Sequence, residues 1–191
     1  RKVWWKGDQA RAEENLIVGL GVCTSKVVAI VGPTAADGNL EIGGLGSQPS
    51  RGMKKGVVVD IEATVRSIQR AVEEAELMAG CHIHTVYAGM AGSHVRSRNS
   101  HGIVASRDRE VAQADIDRVI DAAQAVAIPA DQKTLHVLPQ EYVVDNQEGV
   151  REPIGMSGVR LEAKVHLVTC AVNAVQNIEK CVRRCNLEVD D

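Results

Sequence analysis

Val159-Arg160-Leu161-Glu162-Ala163-Lys164-Val165-His166-Leu167-Val168-Thr169 is the stretch whose reading decides the fold. Val159, Leu161, Ala163, Val165 and Leu167 alternate with Arg160, Glu162, Lys164 and His166. Successive side chains of a strand point to opposite faces, so this pattern predicts a strand buried on one side and wet on the other. Residues 85–105 also read as strands, and with 155–170 they predict a small inserted domain. Such a domain offers one face to water or a partner, which points to scaffolding and binding rather than a closed catalytic cleft.

Working outward from this strand, residues 146–157 read as a loop, and Lys133 to Asp145 as a strand interrupted by Pro139. Asp115 begins or reinforces a helix carrying Ile116, Val119, Ile120, Ala123 and Ala127, closed by Pro129. His94 to Ala105 is a second, more polar strand or hairpin, and Asn173 can cap a last helix with Val175, Ile178, Val182 and Cys185 on one side. Towards the N-terminus, Leu16-Ile17-Val18 and Val27 to Val31 flank a small-residue turn, a hairpin pattern. Asp37-Gly38 signals a turn, Leu40 to Gly46 a third strand weakened by its glycines, and Ser47 to Gly56 a loop. Asp60 caps a helix with Ile61, Val65, Ile68, Val72, Ala75 and Ala79 in one stripe, stopped by Gly80. His84 to Ala91 reads as a strand. The order predicts an α/β layer with a compact insertion, in which one helix covers a three-stranded sheet.

Composition bounds the function. The chain has 191 residues, 45% of them hydrophobic, enough for a real core. It has no Phe and only two Trp and two Tyr, so the core is built from Val, Ile, Leu, Ala and Met. A net charge of −3 gives no electrostatic case for nucleic acid. Five cysteines without paired spacing fit reduced thiols. No apolar run approaches the roughly 18 residues of a spanning helix. Residues 1–14 are polar, lack a signal-peptide core and are expected to form a flexible tail carrying Trp4-Trp5. The absence of an initial Met suggests a fragment or a trimmed product.

Gly19-Leu20-Gly21-Val22-Cys23-Thr24-Ser25-Lys26 invites phosphate readings. A P-loop fails because Ser25 precedes Lys26 and Thr24 stands where Gly is needed. A dinucleotide fingerprint fails because the glycines lead into the β-branched run from Val27, not into a helix. A hairpin turn wrapping phosphate oxygens with its N–H groups, Thr24, Ser25 and Lys26 fits, and an ordinary tight hairpin fits equally. Cys81, His82, His84, His94 and His101 lack metal-ligand spacing, although His82 and His84 are expected to share a strand face. Cys181 and Cys185, one helical turn apart, read as small core residues. Arg96, Arg98, Arg107 and Arg109 form a local basic patch or a solvated face. No Ser-His-Asp or Cys-His arrangement has local support, and Glu141 is a lone acid.

Several stretches resemble the FtsA family, the actin-like proteins of bacterial cell division. They are Ile17-Val18-Gly19-Leu20 with Thr24-Ser25-Lys26-Val27, Ser50-Arg51-Gly52-Met53, Ala75-Glu76-Leu77-Met78-Ala79-Gly80-Cys81, Leu135 to Tyr142, Gln147-Glu148-Gly149, Gly158-Val159-Arg160-Leu161 and Lys164 to Cys170. The resemblance implies part of actin-like ATPase subdomain 1A over 15–92 and an inserted strand-helix-strand-strand (SHS2-type) subdomain 1C over 93–170. A helix over 171–191 returns to 1A. It also implies ATP and Mg in a longer parent, with Gly19, Gly21, Thr24, Ser25 and Lys26 on the cofactor side and no separate metal site. The implied partners are FtsZ through a region outside this chain, other FtsA subunits, and cytoplasmic tails of later division proteins at 1C. The implied location is the cytoplasmic face of the inner membrane at the division site, held by a C-terminal amphipathic helix also outside the chain.

Two positions depart from the family pattern: Gly21 stands where an acid is usual and Cys23 where a glycine is usual. Tight nucleotide binding by this piece alone is therefore not expected. The main reading is an interaction and assembly module. The alternatives are one half of an ATP-hydrolysing enzyme and a freestanding α/β binding domain.

Overall fold

The computed structural model describes residues 16–34, 38–125 and 128–191. The expected tail with Trp4 and Trp5, Asp37 of the expected turn, and Ala127 lie outside the described residues. The chain forms two compact units, Val95–Val172 and the residues on either side of it.

In the first unit, β1 (Leu16–Val22) and β2 (Lys26–Pro33) form the expected antiparallel hairpin, with Leu20 opposite Ala29. β3 (Gly44–Pro49) pairs with β2, β6 (Thr85–Met90) runs parallel to β1, and β11 (Glu188–Val189) runs parallel to β6. The sheet order is β11-β6-β1-β2-β3. β4 (Met53–Lys54) and β5 (Val57–Val58) make a separate two-stranded ribbon. Alternation puts Val18, Leu20, Val22, Val27, Ala29 and Val31 on one buried face, where they meet Ile68 and Val72 of α1 (Ile61–Ala79) and Ile178 and Val182 of α3 (Val172–Arg183). The other face presents Ile17, Ile30, Leu45 and Tyr87.

The helix α1 follows its sequence signals. The Asp60 carboxylate accepts the Ala63 N–H, and Gly80 takes a left-handed conformation at the far end. Elsewhere the structure corrects the reading. The third strand starts at Gly44 and runs through Pro49, taking part of the expected loop. Leu40 makes only a bridge to Thr34, because Leu40 to Gly43 face solvent while Gly44 and Gly46 lie against α1. Asn173 lies inside α3 and is exposed rather than capping it. The segment expected as a helix over 171–191 is helical only to Arg183 and ends in β11 at the edge of the sheet.

In the second unit, β7 (Val95–Ala105), α2 (Gln113–Gln124), β8 (Gln132–Val144), β9 (Gln147–Val150) and β10 (Arg160–Ala171) form an antiparallel sheet of order β7-β10-β8-β9 with one helix. Leu161, Ala163, Val165 and Leu167 of β10 are buried with Val119 and Ala123 of α2. Val159, expected on that face, is exposed because it precedes the strand. Pro139 does not break β8. Val165 pairs with Pro139 and Lys164 with Glu141, so Gln140 bulges out and absorbs the missing N–H. The expected loop 146–157 contains β9, giving a fourth strand. Asp145, at a positive φ of 53°, starts the turn, and its Oδ1 accepts the Val159 and Arg160 N–H groups at 3.0 Å each. The helix α2 ends at Gln124, well before Pro129.

The start of α2 is fixed by Asp115. Its Oδ2 accepts the Ala112 N–H at 3.1 Å and the Ser106 hydroxyl at 3.2 Å, while Oδ1 meets the Arg118 guanidinium. The Ala112 N–H and then Arg118 hold the carboxyl below the usual 3.8, against an opposing desolvation. A lowered native value makes this stabilisation complete above 3.8 and lost as pH falls through the native value. Comparing urea midpoints at about pH 5 and about pH 2.5 should therefore show an acid-induced loss that Asp115→Asn flattens.

Close packing sets the second expectation. A Cβ on Gly102 would lie 2.0 Å from the Val119 carbonyl oxygen, whereas one on Gly19 meets nothing within 4 Å. Gly102→Ala should destabilise the second unit by about 1–3 kcal/mol in urea unfolding. Gly19→Ala should stay within about 0.5 kcal/mol.

Candidate functional site

One hairpin positions the residues singled out for phosphate. The Cys23 N–H donates to the Lys26 carbonyl at 3.1 Å, closing a turn that exposes Thr24, Ser25 and Lys26 at the C-terminal end of β1. Gly21 lies just below, opposite Val28 and Gly89. Gly19 is set back from the turn: its neighbours are Ile30 and Tyr87, about 10 Å from Val22 at a strand's rise. A side chain at Gly21 would meet only the Val28 oxygen, at 3.9 Å, so geometry does not require glycine there.

Two further segments converge on the turn, and the sequence reading missed both. The Thr24 hydroxyl accepts the N–H of buried Gly56 at 2.7 Å, and the Ser25 carbonyl accepts the Ser50 N–H at 3.0 Å. Gly56, at φ 81°, lies so close to the exit of β6 that a Cβ would be 2.4 Å from the Ala91 oxygen. The available signal was Lys54-Lys55-Gly56, a turn between short apolar pairs. Ser50 Oγ and both ring nitrogens of His94 are buried without a partner among the described residues.

This arrangement suits oxyanions in part. The Thr24 and Ser25 N–H groups have no partner among the described residues, and the Ser25 hydroxyl and Lys26 ammonium stand beside them. Residues 19–26 contain no carboxylate, so the loop itself supplies no general base.

The other candidates separate. His82 and His84 precede β6 instead of sharing a strand. Their ring centroids are 6.5 Å apart, and His82 Nδ1 is 2.9 Å from Glu76 Oε2. Burial first, and Cys181 second, push the Cys185 thiol up to about 11, and its Sγ contacts the Cys181 carbonyl at 3.2 Å. The four-arginine patch does not assemble, since β7 spaces Arg96 from Ala105, short of Arg107, by about 30 Å.

In the second unit the helix α2 leaves the opposite sheet face uncovered over part of its area, although Val143 of β8, beside Glu162, is buried there. The row from β10 is Glu162, Lys164, His166 and Val168. Lys164 pairs with Glu141 of β8, which raises its pKa, and His166 Nδ1 is 2.8 Å from Asn99 Oδ1 of β7. Ile103, beside Glu162, and Leu138, beside His166, are 54% and 45% exposed, large apolar groups on a face that also carries these polar pairs.

Residues 92–169 match the family described as "SHS2 domain inserted in FTSA". The cell division protein FtsA of Pseudomonas aeruginosa is 74% identical over 177 residues, covering 93% of this chain and 42% of that protein. The chain belongs to the FtsA family. Its FtsA relatives in Neisseria meningitidis serogroup B and Escherichia coli K12 are 52% and 47% identical over 178 residues each, again covering 93% of this chain. The chain thus spans 42–43% of the length of these FtsA proteins. A solved PilM-PilN type IV pilus biogenesis complex contains a chain of the same fold, with TM-score 0.62 and 15% identity, covering 92% of this chain and 46% of that one. The fold is α/β, part of an actin-like subdomain carrying an inserted SHS2 domain.

The junction at Thr24 is testable. Thr24→Val removes the acceptor for the buried Gly56 N–H and should cost about 1–3 kcal/mol in denaturant unfolding, whereas Thr24→Ser retains most of that stability.

Proposed function

We propose that this chain is the protein-interaction and assembly portion of an FtsA-type cell-division protein. The observation carrying the proposal is that the unit matching the inserted FtsA domain exposes Ile103 and Leu138 on the sheet face opposite α2. In the longer parent, this unit takes up cytoplasmic tails of later division proteins and contacts other FtsA subunits. The remainder of the parent binds FtsZ and holds the assembly at the cytoplasmic face of the inner membrane at the division site.

ATP with Mg belongs to that parent, where it supplies a phosphate chain and a cation. The present chain contributes the Thr24 and Ser25 N–H groups, the Ser25 hydroxyl and the Lys26 ammonium, which bind and orient phosphate oxygens. With no acid in the loop and much of the relatives' length outside this chain, it holds nucleotide weakly by itself.

Fluorescence anisotropy with labelled cytoplasmic tails of the organism's division membrane proteins tests the main reading. Saturable binding tighter than about 1 mM is expected, weakened about tenfold by Ile103→Asp with Leu138→Asp. No binding by any tail, or equal binding by the variant, refutes the assignment to this face. Calorimetric titration with Mg-ATP is the companion measurement, and tight binding by this chain alone would favour the enzyme-half alternative.

A further inference from the structure

A cleft of about 250 Å³ in the first unit is lined by Gln48, Pro49, Arg51, Ala63, Arg66, Ser67 and Arg70. Its three guanidiniums are in no ion pair among the described residues. That is unexpected from the sequence of α1. Glu62, Arg66, Arg70 and Glu74 follow one another at i,i+4 spacing, which normally joins Glu62 to Arg66 and Arg70 to Glu74. Both acids are drawn elsewhere: Glu62 meets Arg184 of the turn after α3, and Glu74 accepts the Ser47 N–H at 3.1 Å and Gln48 Nε2 at 2.8 Å. Two like charges remain one helical turn apart, an arrangement that costs stability unless an anion sits between them.

The third arginine is held in place by its backbone. The Arg51 N–H donates to Ser67 Oγ at 3.1 Å, and its carbonyl accepts the Thr64 hydroxyl at 3.4 Å, tying the segment after β3 to α1. Ser67 Oγ also lies 3.2 Å from the Pro49 carbonyl. The cleft floor is therefore ordered before any ligand arrives, which lowers the entropic cost of binding.

We propose that this cleft, formed by Arg51, Arg66 and Arg70, binds a phosphate group. Guanidinium forks match phosphate oxygens in bidentate geometry and stay charged at any physiological pH. Glu62 and Glu74, the acids at i,i+4 spacing from Arg66 and Arg70, are engaged by Arg184 and by Ser47 and Gln48, which leaves the positive charge in excess. The cleft is built from the end of β3 and one side of α1, and it adjoins the β1–β2 turn, since Pro49 pairs with Lys26 and the Ser50 N–H donates to the Ser25 carbonyl.

Amide chemical shifts of the isotopically labelled chain, titrated with sodium pyrophosphate at constant ionic strength, test the proposal. Saturable shifts at residues 48–51 and 63–70 are expected, those at 63–70 on α1 being the ones that distinguish the cleft from the adjoining β1–β2 turn. Arg66→Gln with Arg70→Gln should weaken binding about tenfold or more without moving the thermal midpoint downward. Shifts confined to residues 22–26, unchanged affinity in the double variant, or no saturable binding would each overturn it. A tetraglutamate peptide serves as the carboxylate arm, and tighter binding by it than by pyrophosphate would overturn the assignment to phosphate.

Discussion

At Gly46 the backbone of α1 comes so close to β3 that a Cβ built on the glycine would lie 1.7 Å from the Ala71 carbonyl oxygen. Gly102 of β7 stands in the same relation to Val119 of α2, at 2.0 Å. A chain with no Phe fills its interior with small aliphatic side chains, so its helices must descend onto their sheets to exclude voids. The alanines Ala71, Ala75 and Ala123 on the descending faces and the glycines beneath them are the two halves of that contact. Within each unit, the other placements follow from how low its helix sits.

In the first unit the low helix carries Ser67 and Thr64 into hydrogen-bonding range of Pro49 and Arg51, which orders the chain after β3. That ordering brings Ser50 to the Ser25 carbonyl, and Gly56 then reaches the Thr24 hydroxyl. The hairpin turn is thus tied to packing that starts on the other side of β3, through the Ser25 carbonyl and the Thr24 hydroxyl. In the second unit the low helix covers one sheet face only, and cross-strand pairs such as Lys164 with Glu141 organise the other.

Periodicity made much of this fold legible. The stripe from Ile61 to Ala79 and the alternation from Leu161 to Leu167 each mark one buried face, and the structure uses them as such. What escaped was set by long-range contact. The glycines 44 and 46 read as weakening a strand, when their bareness is what lets a helix touch it; glycine inside a strand pattern also signals close backbone approach. Pro139 read as an interruption because the bulge at Gln140 that accommodates it depends on the register of a partner strand. β9 escaped because Gln147-Glu148-Gly149-Val150 buries only Val150, leaving no alternation to see. At the candidate site, the turn was visible in its composition, but Gly56 and Ser50 join it only through tertiary hydrogen bonds.

The two proposed binding regions would select partners by opposite physics. On the β10 face opposite α2, Lys164 is paired with Glu141, so binding proposed there would draw mainly on burying Ile103 and Leu138. That contribution is apolar and barely sensitive to salt. In the cleft beside Arg51, the acids that would neutralise Arg66 and Arg70 are committed to other groups, so positive charge survives where the helix sequence alone predicts none. Interactions at such an exposed cleft are screened over about 8 Å at physiological ionic strength. Raising the salt concentration therefore separates the two: it removes an anion from the cleft while leaving an apolar contact on the sheet face in place.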